Sequence, residues 1–200
     1  RKDLQRIQSL YRDAGFAYAN VNPLNRINQE NNSVDVAYDI QKGEKVHYGR
    51  IEIVGNTKTR DKVIRRELVI EEGDLFSNAR MEASKRNVRR LGYFENVEIT
   101  TQRGAQDDLI NAQVRVTETR TDTFQIGAGF SSTESFIANA QVSLNNLAGR
   151  GQSLSLQAQL SAIRSLFNLK FTEPWLFDSR WRFSFDLYRF QYQLPDFSRR

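Results

Sequence analysis

Beyond Thr121 the chain alternates apolar and polar residues almost without interruption, and no other feature restricts its fold so tightly. Phe124, Ile126, Ala128 and Phe130 share one side, followed by Ala138, Ala140, Val142 and Leu144. The same side continues through Leu154, Leu156, Ala158 and Leu160, then Phe167, Leu169 and Phe171, then Trp181, Phe183, Phe185 and Leu187. The opposite side carries Gln125, Gly127, Gly129, Asn139, Gln141, Ser143, Gln157, Asn168, Lys170, Arg182 and Asp186. A period of two belongs to a strand, whose successive side chains point to opposite faces. The pattern predicts five strands, each with one greasy and one polar face.

Two architectures fit such strands. A soluble β-sandwich turns the apolar side inward; a transmembrane β-barrel turns it toward lipid. Strand lengths near the roughly 9–11 residues of a tilted membrane strand favour the barrel. So do aromatics gathered near strand ends: Phe124, Phe130, Phe171, Trp175, Phe177, Trp181 and Tyr192. A mean hydropathy of −0.61 is no objection, because a barrel strand needs only every second residue to be apolar. If the first strand runs outward, Ser131–Ser135 and Ser161–Ser165 are outer loops, and Asn145–Gly151 and Glu173–Arg180 are periplasmic turns. Five strands with an unpaired fifth cannot close, so the remaining strands are expected beyond Arg200. Arg1 falls inside a helical pattern, and both ends read as cuts through a longer protein.

Before Thr121 the periodicity is mixed. Leu4, Ile7, Leu10, Tyr11 and Ala14 fall on one helical face, stopped by Gly15. Val34, Val36, Tyr38 and Ile40 alternate as a half-buried strand, and Gly49–Val54 reads as another, with a turn at Gly55-Asn56. Thr59 is a candidate cap for a helix through Val63, Ile64 and Leu68, with Asp61 in its first turn. Ser77 or Asn78 is placed to cap a second helix through Met81, Val88 and Leu91, stopped by Gly92. Strands from Phe94 to Thr101 and Leu109 to Glu118 complete the order β-α-α-β-β. The first part also repeats itself. Gly15-Phe16 corresponds to Gly92-Tyr93, Asn20-Val21 to Asn96-Val97, and the alternation Val34–Ile40 to that of Ile110–Val116. The fold class expected is therefore α+β modules followed by antiparallel transmembrane strands of an incomplete barrel.

Composition removes several functions. Net charge is +5, but the arginines are scattered from Arg1 to Arg200 without the basic and aromatic clustering of a nucleic-acid surface. Solvated surface and contact with anionic lipid or lipopolysaccharide near the membrane explain them better. There is no cysteine and one histidine, His47, so a thiolate metal site, a histidine metal site and a His-based triad all lack parts. Glu71, Glu72 and Asp74 do not have calcium-loop spacing and read as a solvated turn. Gly127-Ala128-Gly129 lies inside a strand and precedes no helix, so it is not a phosphate loop. No catalytic group, metal or cofactor is expected.

Ile51-Glu52-Ile53-Val54-Gly55-Asn56-Thr57, then Val63-Ile64-Arg65-Arg66-Glu67-Leu68, Glu72-Gly73-Asp74 and Leu91-Gly92-Tyr93-Phe94-Glu95-Asn96-Val97 resemble a POTRA domain. The likeness is strongest to the membrane-proximal POTRA of the BamA family, the outer-membrane β-barrel assembly factors. Phe124–Ser131 resembles that family's first barrel strand; Asn146–Gly151 and Thr172–Phe177 resemble its first two periplasmic turns. The resemblance implies the latter half of a POTRA over 1–45, a complete POTRA over 46–120, and five barrel strands over 121–200. It implies periplasmic modules, an outer-membrane barrel, unfolded outer-membrane proteins as clients, and accessory lipoproteins as partners.

Three working surfaces follow. The first barrel strand, Phe124, Gln125, Ile126, Gly127, Ala128, Gly129 and Phe130, is expected to template an incoming client strand at a lateral seam. Its two glycines weaken it, although they also fit a simpler role in making room inside the barrel. The module strand Val97, Glu98, Ile99, Thr100 and Thr101 is expected at a sheet edge, open to β-augmentation or else guarded by charge and twist. The resemblance places an accessory-partner contact at Arg65, Arg66 and Glu67, on the exposed side of a helix. Two alternatives remain. A related translocator for autotransporter or two-partner secretion has fewer modules; a passive porin or barrel-anchored enzyme does not need tandem modules or has a catalytic group that this segment lacks.

Overall fold

The computed structural model describes residues 2–28 and 33–193. Helix α1 (Lys2–Asp13) leads into a hairpin of β1 (Asn20–Asn28) and β2 (Ser33–Gln41). Next come β3 (His47–Val54), α2 (Asp61–Arg65), α3 (Asn78–Arg90), β4 (Phe94–Arg103) and β5 (Leu109–Glu118). Five long strands follow: β6 (Thr123–Ser131), β7 (Ser135–Leu147), β8 (Gln152–Ser161), β9 (Arg164–Glu173) and β10 (Phe183–Tyr192). The chain divides into two compact units. One holds residues 1–56 and 64–117; the other holds 57–63 and 118–200. No helix among the described residues is long and apolar enough to cross a membrane.

In the first unit β3, β5 and β4 form a sheet in that order, with β5 central and parallel to β3. Ile110, Ala112, Val114 and Val116 of β5 point into the core together with Tyr48, Ile51, Ile64, Val88 and Val97. The period-two side of β5 thus meets the helical stripe of α3, each hiding what the other cannot hide alone. Tyr48 is buried, and its hydroxyl donates to the Ser77 carbonyl at 3.0 Å. Burial pushes its phenol up to about 12 despite that bond. Ser77 caps α3, its Oγ accepting from the Arg80 amide at 3.3 Å, as its position before the helical run predicts.

Three expectations for this unit need revision. Helix α2 is only five residues long and does not reach Leu68. The Glu67 and Leu68 amides bond to Ile64 and Arg65 in a tightening turn, and the Val69 amide is taken by Ser84 Oγ at 2.8 Å. Contact with α3 therefore ends the helix where sequence periodicity would continue it. The acidic turn is engaged in the fold as well as solvated. Glu72 accepts the Ile51 amide at 2.9 Å, and Asp74 pairs with Arg80 at 2.6 Å. Strand β2 forms where the alternation places it, but Val34, Val36 and Tyr38 are exposed, because α1 packs on β1 and α3 and leaves β2 uncovered. Its partner β1 went unread, since Asn-Val-Asn-Pro-Leu-Asn-Arg-Ile-Asn is mostly polar and interrupted by Pro23.

The second unit is an antiparallel sheet in the order β10-β9-β8-β7-β6. The register joins like with like. Val142 faces Leu156, which faces Leu169, which faces Leu187; on the other side Ser143 faces Ser155 and Ser155 faces Lys170. Among the described residues nothing covers the apolar face, so a two-layer sandwich is not formed. The β6–β7 and β8–β9 hairpins are tied together: the Ala162 amide donates to the Glu134 carbonyl, and Arg164 pairs with Glu134 at 3.4 Å. The β7–β8 and β9–β10 turns hold most of the non-glycine left-handed corners, at Asn146, Ala148, Phe177 and Asp178, against Ser135 alone in the β6–β7 hairpin.

Ile64 has no exposed surface. Replacing it with alanine should cost the first unit about 2–5 kcal/mol. Hydrogen exchange would read this as lost amide protection across β3, β4 and β5, while amides of β7 and β8 keep theirs.

Candidate functional site

Strand β6 is the sharpest candidate because it carries two glycines, Gly127 and Gly129, inside a strand. Residues Thr123–Ser131 pair with β7, from Thr123 opposite Ser143 to Ser131 opposite Ser135, and the other edge has no partner among the described residues. Phe124, Ile126 and Phe130 project from the apolar face, 67%, 71% and 82% exposed. Gln125, Gly127 and Gly129 lie on the polar face. The two glycines are not equivalent. A Cβ at Gly127 would stand 2.2 Å from Asn139 Oδ1 on the neighbouring strand, whereas at Gly129 it would meet nothing within 4 Å. Gly127 therefore admits the Asn139 side chain, and Gly129 leaves the strand's inner side bare.

In the first unit β4 is an edge strand, and among the described residues β5 is its one strand partner. Val97 is fully buried and Ile99 packs against the core, so these two fix the strand's facing; Glu98 and Thr100 are exposed. The edge is partly occupied, since Arg89 donates to the Val97 carbonyl at 3.3 Å. Arg65, Arg66 and Glu67 fall at the end of α2 and in the turn after it. Arg65 is exposed and donates to the Ile51 carbonyl of β3 at 3.3 Å, while Arg66 and Glu67 are half-buried. The Glu67 carbonyl accepts from Asn87 Nδ2 at 3.2 Å.

The second unit contains a polar staple that the sequence reading did not find. Glu118 ends β5 and turns its carboxylate onto the segment 57–59. One oxygen accepts the Thr57 amide at 3.1 Å, the Thr57 hydroxyl at 2.6 Å and the Lys58 amide at 2.8 Å. The other accepts the Thr59 amide at 2.6 Å. Desolvation works to raise the carboxyl pKa, but the Thr57 and Thr59 hydroxyls and the Lys58 and Thr59 amides outweigh it and hold it at about 2 instead of 4.5.

From there the network continues to the turn between β7 and β8. Thr59 Oγ1 accepts from Asn146 Nδ2 at 2.7 Å, and Asn146 Oδ1 accepts the Gly151 amide at 2.9 Å. Asn146 is buried and left-handed, a conformation asparagine tolerates better than most residues. The Arg60 amide donates to the Gly149 carbonyl at 2.9 Å. Gly149 combines a φ of +70° with an approach so close that a Cβ would lie 1.9 Å from the Lys58 carbonyl oxygen. No other residue fits there. Thr121 and Asn145 exchange two side-chain bonds of 2.8 Å, and Asp122 reaches both the Asn145 amide and Lys58. No short-range signal could reveal this network, because Glu118 and the segment that donates to it are 59 to 61 positions apart.

Comparison with known proteins gives this arrangement its relatives. A model described as surface antigen variable number repeat, POTRA, matches residues 1–43 and 46–119; an Omp85 superfamily domain matches 146–200. The chain belongs to the POTRA family and carries an Omp85 match beside it. The resemblance to BamA read from the motifs stands as well. An outer membrane protein assembly factor BamA of Nitratidesulfovibrio vulgaris is 33% identical over 96% of this chain and 24% of its own length. The crystal structure of BamA from Haemophilus ducreyi lacking POTRA domains 1–3 superposes with a TM-score of 0.83 at 24% identity, over 96% of this chain and 37% of that one. CdiB from Acinetobacter baumannii shares the fold more loosely, with a TM-score of 0.53 at 14% identity over 88% of this chain and 33% of that one. The chain thus spans about a quarter of the length of the curated relatives it matches. As in the BamA relatives, the Omp85 strands belong to the outer membrane and the POTRA modules to the periplasm.

Because the Glu118 pKa is lowered by folding, its contribution is complete above 4.5 and is lost as pH falls toward about 2. Hydrogen exchange, corrected for intrinsic rates, should show the Thr57, Lys58 and Thr59 amides losing protection across that window. In Glu118→Gln the same amides should be at least about tenfold less protected at neutral pH, with little further change on acidification.

Proposed function

We propose that this chain is the membrane-proximal part of an outer-membrane protein assembly factor. On this reading residues 1–45 are the latter half of one POTRA, 46–120 a complete POTRA, and 121–200 the first five barrel strands. The protein receives unfolded β-barrel clients in the periplasm and promotes their folding and insertion without covalent chemistry. The observation that carries the reading is the five-strand antiparallel sheet with one uncovered apolar face, following a POTRA match in the same chain.

The physical argument concerns backbone amides. A client strand entering hydrocarbon with unpaired N–H and C=O groups pays several kcal/mol for each. If a seam beside β6 opens, Phe124–Phe130 presents a ready row of partners, and the client's bonds form within the barrel wall. Pairing through backbone tolerates many client sequences, as such a machine requires. The bare inner side at Gly129 supports a weakly held seam. Strand β4 offers a second edge, from Val97 to Thr101, where an extended segment adds to the POTRA sheet before reaching the membrane. The BamA names of the relatives support assembly over the translocator reading, whose support is the looser fold likeness to CdiB.

Two experiments test this. A disulfide engineered between β6 and the last strand of the full-length barrel should abolish client insertion, and a reductant should restore it; normal insertion by the locked protein would refute the seam. Arg65, Arg66 and Glu67 are proposed to dock an accessory outer-membrane lipoprotein. Glu67→Lys should therefore lower its copurification by about tenfold or more, with β3–β5 amide protection unchanged. Undiminished recovery would remove this contact.

A further inference from the structure

The apolar face of the second unit has one low place. Ala140 and Ala158 stand directly opposite each other on β7 and β8, and their methyl groups form the floor of a depression of about 430 Å³. Leu156, Phe167, Leu169 and Leu187 wall it. That volume is within the range of small-ligand sites. One bordering residue does not match the rest: Arg189.

Arg189 pairs with Phe167 across β9, so its parity is that of Phe183, Phe185 and Leu187. Strand β10 changes character at this point. Beyond Leu187 the apolar side carries Arg189 and Gln191, and the opposite side carries Tyr188, Phe190 and Tyr192. None of the ion pairs or side-chain hydrogen bonds among the described residues involves the Arg189 guanidinium. An arginine on a lipid-facing surface is strongly disfavoured at the bilayer midplane and tolerated near an interface, where its stem lies along apolar surface and its head reaches polar groups. Strands β6 and β10 run in the same sense, and Arg189 is near the outer end of β10 when the modules are periplasmic. Its charge therefore meets the phosphate layer of the outer leaflet, directly beside a groove of acyl-chain character.

We infer that this groove binds one phosphate-bearing lipid of the outer leaflet. An acyl chain lies over Ala140 and Ala158, between Leu156 and Phe167, while the planar guanidinium of Arg189 takes the phosphate through paired N–H donors. The inference rests on the membrane-facing reading of this sheet. It adds to that reading a defined position, a stoichiometry and a head-group preference, none of which general bilayer contact requires.

The test uses the full-length protein in detergent and native mass spectrometry, with lipid A as probe and phosphatidylcholine as zwitterionic control. Wild type should retain one lipid A molecule in preference to phosphatidylcholine. Arg189→Gln should lower lipid A retention by about tenfold or more, to the level of the control. Arg189→Lys should fall between them, keeping charge without the fork. Ala158→Leu should expel lipid A although Arg189 is intact. Equal retention of both lipids by wild type, or undiminished lipid A binding in Arg189→Gln or Ala158→Leu, overturns the proposal. Folding of each variant is checked by the heat-dependent gel mobility of the barrel. A nitroxide at Phe183, on the same face but away from the groove, reports bilayer contact by oxygen collision. If it reports lipid while Arg189→Gln binds normally, only the groove fails; if it reports water, the membrane reading fails with it.

Discussion

Backbone hydrogen bonding in hydrocarbon is the constraint on which the rest of this molecule depends. A segment crossing lipid must pair every N–H and C=O within protein, and a strand can do so only through neighbours on both sides. The alternation after Thr121, the five-strand antiparallel register and the matched faces of β7, β8 and β9 all satisfy that demand. Under the proposed function, β6 turns the same demand to use by offering its backbone to an incoming strand.

The first unit solves a different problem with the same elements. Its sheet lies in water, so it hides one face under two helices and leaves the other polar. Strand β4 is then available only as far as its core anchors allow: Val97 and Ile99 hold it while Glu98 and Thr100 face solvent. The two candidate edges thus differ in what holds them. Strand β4 is anchored by a packed core, whereas Phe124, Ile126 and Phe130 of β6 are exposed.

Much of this was legible in the sequence wherever the determinant was local. The period of two placed β6 to β10, Ser77 marked the start of α3, and Gly92 marked its end, because each depends on neighbours within a few residues. The strand β1 was hidden by asparagines and Pro23, and only its similarity to Asn96-Val97 hinted at it. The early end of α2 was invisible because Ser84, far along the chain, removes the Val69 amide. The Glu118 staple was the least legible feature. Its carboxylate, the Thr59 hydroxyl and Asn146 come together only after folding, and each alone looks like an ordinary surface residue.

The uneven distribution of left-handed corners in the sheet has a consequence for how length can vary. The turns carrying Asn146, Ala148, Gly149, Phe177 and Asp178 are conformationally committed, and one of them is bolted to the segment at Thr59. An inserted residue there would shift a register or break a buried bond. The hairpin at Ser135 carries one such corner, and its tip residues Ser132 and Thr133 are exposed. The rim formed by the β7–β8 and β9–β10 turns therefore acts as a jig that sets where those strands begin, while the tip at Ser132 and Thr133 is the place where epitopes, tags or longer loops can grow without disturbing the wall.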